Sequence, residues 1–393
     1  MTRILVFTGK GGVGKTSVAA ATAWKEAAQG ERTLLASTDA AHSVGDVLDR
    51  CIGPEVANVA ENLDAVELDA DRIMEEGYGD LVRSVTSMAS SMARGASDEG
   101  ELPSLPGFDG LFALLKLLDF AESGRWDLIV VDCAPTGETL ALLKFPELLG
   151  WYVEKWLPLG KVAVRVLSPL SRKVLKVELP DKHAMTDVER LYARLLDLQE
   201  LLKDGERTCV RIVTLPEKMV VEETKRNYLY LNLFGYRVDG LVVNRMLPEA
   251  ARTGFFTEWA DVQRRCMDEL DQVFPGVPTA HVPWHGADIC STSGVAQLAG
   301  ELPGEEFFAA APPIEHERYL ETDGGWRLEL SLPLAEKGKT ELFQAGCDLV
   351  VRIGAMTRCI PLPNALAGFD VVGAKLEDGV LGVTFAKGAG DER

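Results

Sequence analysis

The chain has 393 residues, of which 47% are hydrophobic and 26% are charged, which excludes a disordered or collagen-like chain. This length favours about two to three globular domains. Sixty acidic residues against 41 basic ones give a formal net charge of −19. That charge argues against nucleic acid as the main partner, because duplex binding requires a basic face.

Cysteine spacing and apolar runs indicate the compartment. The seven cysteines are scattered and include no Cys-x-x-Cys, which disfavours a disulfide scaffold and a self-contained structural zinc site. No apolar run approaches the roughly 18 residues of a spanning helix, and the first apolar run, at residues 4–7, is too short for a signal peptide. We therefore expect a cytoplasmic protein whose association with a membrane is at most transient.

The N-terminal 30 residues carry the most informative motif. A predicted strand over residues 4–7 leads into the loop GKGGVGKT at residues 9–16, and an Ala-rich predicted helix follows over residues 17–29. The pattern G-x-x-x-x-G-K-[ST] in this context predicts that loop amides and the helix N-terminus bind the phosphates of ATP. Lys15 is expected to reach the β- and γ-phosphates, and Thr16 to ligate Mg²⁺. The predicted nucleotide-binding residues of this segment are Gly9, Gly11, Gly12, Val13, Gly14, Lys15, Thr16 and Ser17.

A second lysine, Lys10, lies near the start of this loop, where an ordinary phosphate loop does not require one. From this position it cannot easily reach the phosphates of its own nucleotide. It could reach a nucleotide across a dimer interface and act like an arginine finger supplied in trans. Spacing alone leaves open the alternative that Lys10 is simply solvated.

Two acidic residues lie at the ends of predicted strands. Asp39 follows a strand over residues 33–38, and Asp132 ends a strand over residues 127–132. In open α/β sheets, ligands bind in the crevice outside the carboxyl ends of the strands. Asp39 is therefore a candidate to orient or activate the attacking water, and Asp132 to hold Mg²⁺ through water.

Residues 9–16 resemble the deviant Walker A motif with its signature lysine. This motif occurs in the nitrogenase iron protein, in septum-positioning and plasmid-partitioning ATPases, and in the arsenite-pump and tail-anchored-protein-targeting ATPases. DAAHS at residues 39–43 resembles switch I of the last branch, D-P-A-H-[SN], with Ala40 in place of proline. The resemblance implies that Lys10 acts across a nucleotide-sandwich homodimer and that Asp39 is required for hydrolysis.

DCAPTGET at residues 132–139 resembles the switch II motif D-T-A-P-T-G-H-T of the same branch. Pro135, Thr136 and Gly137 are kept, and the resemblance implies that they couple the γ-phosphate to a helical region. Cys133 and Glu138 depart from the motif. Cys133 is expected to be a small buried residue rather than a metalloid ligand.

The resemblance extends to about residue 300 and implies an adenine site. Asn244, in a predicted strand over residues 240–245, matches the adenine-reading asparagine of the family, with a turn asparagine as the alternative. Pro283, in HVPW at residues 281–284, matches the opening of the adenine loop, although the acidic residue and arginine that normally follow are absent.

The segments between the motifs are predicted to be helical, over about residues 70–125 and 145–205. Leu111, Leu114, Leu115 and Leu118 follow helical spacing in a stretch that is apolar nearly all round, which predicts a buried helix. In the tail-anchor branch such inserts form a subdomain that, paired across a dimer, makes an apolar groove for a client helix. The alternative is that these apolar side chains belong to the ordinary hydrophobic core. Residues 89–106 are rich in Ser, Gly, Glu and Pro, and are predicted to be mobile.

The C-terminal part has a different pattern. Residues 326–332 alternate strictly, and short β-like runs follow at residues 349–353, 371–376 and 380–385, which predicts a small β-sandwich. Residues 374–387 resemble the G-V-L strand motif of small heat-shock (α-crystallin-type) domains. The alternatives are a structural appendage and a regulatory or client-contacting domain.

Together these observations predict an α/β P-loop NTPase fold with a mainly parallel sheet, a helical subdomain and a small C-terminal β-sandwich. The expected boundaries are an ATPase domain at residues 1–305, a linker at 306–317 and a β domain at 318–393. The expected function is a homodimeric Mg²⁺-dependent ATPase that binds and releases hydrophobic client helices or membrane proteins, with a membrane receptor as a further partner. The alternatives are an ATPase subunit energising arsenite or antimonite efflux, and a nucleotide-dependent regulatory switch.

Overall fold

The computed structural model describes residues 1–39, 43–70, 72–74, 76, 108–133, 182–311 and 314–387. Within these residues, eight strands form one sheet in the order β3-β4-β2-β5-β1-β6-β7-β8. All pairs are parallel except the edge pair of β3 and β4, which is antiparallel. The strands are β1 (Arg3–Thr8), β2 (Thr33–Ser37), β3 (Ala57–Ala60), β4 (Leu63–Glu67), β5 (Leu128–Asp132), β6 (Thr208–Thr214), β7 (Val238–Met246) and β8 (Thr279–Pro283).

The helices, numbered over the described residues, cover both faces of this sheet. They are α1 (Lys15–Ala28), α2 (Ser43–Leu48), α3 (Phe108–Ser123), α4 (Lys182–Lys203), α5 (Lys218–Leu233), α6 (Thr257–Val273), α7 (Thr292–Glu301) and α8 (Glu305–Phe308). No helix that the structure describes is both long and apolar enough to cross a membrane.

Strand β1 lies near the middle of the sheet and is buried on both faces, which explains its unbroken apolar run. Leu5 and Phe7 face α1 and α7, whereas Ile4 and Val6 pack in the core that contains α3, α4 and much of α5. Helix α1 packs closely against the sheet because its buried face consists largely of alanine, which has a small side chain. Alanine is also a strong helix former. Strand β1 therefore directs the loop that follows it into the centre of the carboxyl edge.

Two antiparallel sheets form the C-terminal part. One has the order β14-β15-β10-β9 and the other β11-β12-β13. Their strands are β9 (Glu317–Thr322), β10 (Gly325–Ser331), β11 (Thr340–Ala345), β12 (Asp348–Ile353), β13 (Met356–Pro361), β14 (Phe369–Glu377) and β15 (Val380–Lys387). Leu328, Val351 and Phe385 belong to the same buried cluster as Leu229 and Leu233 of α5, so one apolar core runs from the ATPase body into these sheets.

The structure confirms the predicted strands at residues 4–7, 33–38, 127–132, 240–245 and 326–332, and the buried helix that contains Leu111. Helices α3 and α4 lie within the segments predicted to be helical. Some strands were not predicted, because they are short or carry polar residues on an exposed face. These strands are β3, β4, β9, β11 and β13. The predicted mobile segment at residues 89–106 lies outside the described residues.

Candidate functional site

The loop of residues 9–14 joins β1 to α1 and is shaped by close approach of two neighbouring strands. A Cβ on Gly9 would stand 2.2 Å from the carbonyl oxygen of Val213 in β6. Gly14 has a φ of 90°, and a Cβ there would stand 2.4 Å from Nδ2 of Asn244 in β7. Only glycine fits at either position. No side chain caps the N-terminus of α1, so its first amides remain available to an anion.

Lys15 and Thr16 open α1 and point back toward this loop. The Lys15 side chain is buried, and its Nζ donates to the carbonyl oxygen of Lys10 at 3.4 Å. The Thr16 hydroxyl lies 3.1 Å from the hydroxyl of Ser43, the first residue of α2. A cation and a hydroxyl therefore stand together at the mouth of the loop.

Asp132 ends β5 directly beside this pair. It is fully buried, and among the described residues neither carboxylate oxygen has a hydrogen-bond partner. Burial raises the pKa of Asp132 to about 6. The nearby Thr16 hydroxyl and Lys15 ammonium oppose this shift, whereas the charges of Asp39 and Glu67 reinforce it.

The carboxyl ends of three parallel strands bring these acids together. Ser37 of β2 pairs with Asp132 on one side and with Glu67 of β4 on the other. Asp39 follows two residues after Ser37, and its backbone N–H donates to the Ser37 Oγ at 3.2 Å. Glu67 is buried and accepts a hydrogen bond of 2.9 Å from the backbone N–H of Gly45.

The residues at this edge fit a magnesium ion. Carboxylate and hydroxyl oxygens are ligands that Mg²⁺ accepts, and the ion keeps several waters and substrate phosphates in its coordination shell. Over the described ranges, no group of three or more His, Cys, Asp or Glu side chains could hold a metal by itself. The buried, unpartnered carboxylate of Asp132 and the hydroxyl of Thr16 therefore suit an ion that arrives with phosphate.

Asn244 contacts the phosphate loop itself. Its Nδ2 donates to the carbonyl oxygen of Val13 at 2.9 Å, and its Oδ1 accepts from the backbone N–H of Arg245 at 2.8 Å. The side chain is half-buried at the carboxyl end of β7. The structure thus places Asn244, the predicted adenine reader, where its side chain holds the phosphate loop.

Pro283 ends β8 and pairs with Met246 of β7. The next residue, Trp284, is half exposed, and its ring lies 6.2 Å from that of Phe256. Pro283 and Asn244 therefore lie on adjacent strands at the same edge of the sheet.

Lys10 lies on the exposed side of the loop. Its Nζ stands 3.9 Å from Oε2 of Glu223 in α5, and the two side chains are 39% and 29% exposed. The lysine is thus neither buried among its own loop residues nor simply solvated, because it faces a carboxylate of its own subunit.

Pro135, Thr136, Gly137 and Ala40 lie outside the described residues. Cys133 is described and is buried, as predicted, and burial raises the pKa of its thiol to about 12.

The sequence analysis assigned no role to Ser43, Glu67 or Glu223. Glu67 carried a usable signal, since it ends an apolar run in the same way as Asp132. Ser43 closes the switch I motif, but its approach to Thr16 depends on how α2 packs. Nothing in the local sequence predicted the pairing of Glu223 with Lys10, because it joins residues far apart in the chain.

Comparison with known proteins gives the family. Residues 2–304 match the family model described as anion-transporting ATPase, ArsA_ATPase, and residues 323–385 match the model described as an HSP20-like domain found in ArsA. The chain is 33% identical over 392 residues to the "Putative arsenical pump-driving ATPase" of Prosthecochloris vibrioformis, covering 98% of this chain and 96% of that protein.

Two other relatives come from different organisms. The "ATPase GET3C" of Arabidopsis thaliana is 33% identical over 261 residues, which is 62% of this chain and 66% of that protein. The "Arsenical pump-driving ATPase" of Escherichia coli is 29% identical over 384 residues, which is 93% of this chain and 60% of that protein. The chain therefore belongs to the ArsA ATPase family, with a C-terminal HSP20-like domain, and is an ATPase.

Proposed function

We propose that the chain acts as a homodimer whose ATP cycle drives the binding and release of hydrophobic client proteins, including their delivery to a membrane receptor. The observation that carries this proposal is the continuous apolar core between the ATPase body and the HSP20-like sheets. A domain of chaperone type that shares a core with the ATPase can respond to the nucleotide. We take the units to be residues 1–305, a linker at 306–317 and a β domain at 318–393.

Each side chain of the site has a role in this proposal. Bound Mg·ATP supplies the phosphoanhydride bond that is broken. Backbone N–H groups of residues 11–16 would hold the phosphate oxygens, and the Lys15 ammonium would offset their charge. Thr16 and Asp132 would hold Mg²⁺, the latter through water. Asp39 would orient the attacking water and accept its proton.

Lys10 and the adenine pocket complete the assignment. Lys10 would leave Glu223 and reach the nucleotide of the partner subunit when the dimer closes, adding positive charge where the transition state needs it. Asn244 and Pro283 would hold the adenine, since the second N–H of the Asn244 amide can donate to the base while the first stays on Val13.

The alternative is an ATPase subunit for arsenite or antimonite efflux, which the names of two relatives favour. Soft metalloids are bound by groups of thiolates. The seven cysteines all lie within the described residues, and none of them forms a disulfide there. Among the described residues, no cysteine belongs to a group of three or more His, Cys, Asp or Glu side chains that could hold a metal. Cys133 and Cys209 are also poor thiolates, because burial raises the pKa of each to about 12.

A binding experiment with purified full-length protein separates these functions. The probe is a fluorescent peptide with an apolar helix of about 20 residues, followed by anisotropy with ATP, ADP or no nucleotide. We expect the peptide affinity to differ by about tenfold or more between ATP and ADP, a difference of about 1.4 kcal/mol. Lys15→Ala, which lacks the phosphate-binding ammonium, serves as the control and should show no nucleotide effect.

The same preparation tests the alternatives through ATP turnover. Equal peptide affinity in all nucleotide states would contradict client handling. Turnover stimulated by arsenite or antimonite, with no nucleotide-dependent peptide binding, would establish metalloid transport instead. Slow turnover that responds to neither would favour a regulatory switch.

A further inference from the structure

Helix α5 begins beside the phosphate loop. Glu223, in its second turn, faces Lys10. The next residue, Thr224, is buried, and its hydroxyl lies 2.7 Å from that of Thr214 at the end of β6. The residue before Thr214 is Val213, whose carbonyl oxygen abuts Gly9. The N-terminal half of α5 is therefore tied both to the signature lysine and to the strand that presses on the loop.

The other end of α5 is capped by the C-terminal domain. Arg358 of β13 is buried, and its Nη1 donates to the carbonyl oxygen of Leu233, the last residue of the helix, at 2.7 Å. The same guanidinium forms an ion pair with Glu317 of β9. The last carbonyls of a helix lack intrahelical partners and carry partial negative charge, so an arginine is favourable there.

The packing between these ends is tight. Tyr228, Leu229 and Leu233 belong to the apolar core that also contains the C-terminal strands. At Gly354, in the turn between β12 and β13, a Cβ would stand 3.2 Å from the Tyr230 hydroxyl. Close-packed cores transmit displacement instead of absorbing it, so a shift of the HSP20-like sheets must move α5 or break these contacts.

We propose that the C-terminal domain restrains ATP turnover through α5. With Arg358 docked on Leu233, the helix holds Glu223 where it keeps Lys10 within its own subunit. Movement of the C-terminal domain releases the helix, separates Glu223 from Lys10 and frees the lysine for the partner's nucleotide. Arg358 and Glu223 are thus positioning residues for the reaction. This inference rests on the role proposed above for Lys10.

The test is a double-mutant cycle on full-length protein, with steady-state ATP turnover as the readout. Arg358→Met and Glu223→Gln should each raise kcat by about two- to fivefold, which is at the lower end of the couplings carried by packed elements. The double variant should be no faster than the faster single variant, because both changes release one restraint. Arg352→Met is the matched control, since Arg352 is exposed in the same domain and pairs with Glu341 within its own sheet. Its kcat should equal that of the wild type.

Hydrogen exchange separates coupling from local loosening. In Arg358→Met, a merely structural arginine would expose amides only near residues 230–233, whereas coupling predicts faster exchange at residues 218–224 as well. Arg358→Lys, which keeps the charge and one donor nitrogen, should return kcat part of the way to the wild-type value. If Arg358→Met fails to fold, Glu317→Gln breaks the same ion pair with little change in volume and should also raise kcat.

Several outcomes would overturn the inference. The first is a folded Arg358→Met variant whose kcat is unchanged or reduced. The second is a double variant in which the effects of Arg358→Met and Glu223→Gln on kcat multiply. The third is faster hydrogen exchange in Arg358→Met that is confined to the C-terminal turn of α5. Lys10→Ala distinguishes the two proposals. Full turnover in Lys10→Ala removes the proposed role of Lys10, whereas loss of turnover there with no effect at Arg358 removes only the coupling.

Discussion

Nδ2 of Asn244 donates a hydrogen bond of 2.9 Å to the carbonyl oxygen of Val13, joining residues that are 231 positions apart in the chain. The contact fixes the phosphate loop to the carboxyl end of β7. It also explains why residue 14 must be glycine, because a Cβ there would collide with the same Nδ2. One amide therefore links the shape of the phosphate site to the predicted adenine site.

Replacing Asn244 by alanine should raise the KM for ATP about fivefold, because a hydrogen bond of this kind contributes about 1 kcal/mol. The kcat should fall less than the KM rises, since the side chain does not touch the predicted reacting groups. Steady-state kinetics over a range of ATP concentrations measures both. Asn58→Ala, at an exposed position on edge strand β3, is the control. An unchanged KM in Asn244→Ala would show that the loop does not need this contact.

Replacing Asp39 by asparagine should lower kcat by about 100-fold or more while ATP binding is kept, because the amide cannot accept a proton from the attacking water. Single-turnover hydrolysis and equilibrium binding of a fluorescent ATP analogue measure the two effects separately. Asp46→Asn, on the exposed side of α2, controls for loss of a nearby negative charge. Normal turnover in Asp39→Asn would remove Asp39 from the mechanism.

Glu26 lies in α1 with only 3% of its surface exposed, and burial raises its pKa to about 7, with the charges of Glu305 and Glu31 adding to the effect. The folded state therefore binds more protons than the unfolded state between about pH 4.5 and pH 7. In that window stability falls as the pH rises, and above it the full penalty is present. Glu26→Gln should flatten this slope and stabilise the protein at pH 8 by on the order of 2 kcal/mol.

Urea unfolding at pH 5 and pH 8 checks this prediction. The stability difference between Glu26→Gln and the wild type should be small at pH 5 and large at pH 8. A difference that is the same at both pH values would mean that Glu26 is ionised in the folded protein throughout.

Arg211 lies in the middle of β6 and is buried between two acids. Its guanidinium donates to Asp239 at 3.0 Å and to Glu305 at 2.7 Å, and it stacks 3.8 Å from the Phe308 ring centre. Arg211→Met should destabilise the protein by about 3 to 5 kcal/mol, because it leaves the buried Asp239 without its cation. Thermal and urea unfolding measure the loss.

Arg32→Met provides the comparison. Arg32 pairs with Asp127 at an N···O distance of 2.6 Å, but both side chains are exposed, and exposed ion pairs contribute little to the free energy of unfolding. We expect its melting temperature to stay close to that of the wild type. Equal destabilisation by the two variants would show that burial does not set the strength of these pairs.

Sequence patterns predicted the elements that are regular along the chain. The apolar runs at β1, β2 and β5 are buried on both faces, so their composition alone marks them as central parallel strands. The GKGGVGKT loop has the same physical requirement in every setting, namely backbone amides turned toward phosphate. The structure places Lys15 and Thr16 of this loop close to Asp132. Short edge strands such as β3 and β11 have no such requirement, and their composition did not predict them.

The features that sequence patterns did not predict depend on contacts between residues far apart in the chain. Arg211 appeared in the sequence as one polar residue in an apolar strand, yet it pairs with residues 28 and 94 positions away. The hydrogen bond from Arg358 to Leu233 spans 125 residues and also has no local pattern.

The sequence by itself therefore determined the family and the phosphate loop, and it named Asp39 and Asp132 as candidate site carboxylates, because these depend on residue types at short spacings. Only the tertiary structure decided that Asn244 holds the loop, that Glu223 holds Lys10, and that α5 joins the nucleotide site to the HSP20-like domain. Those relationships arise from the order of strands in the sheet and from close packing between distant segments, which no local spacing encodes.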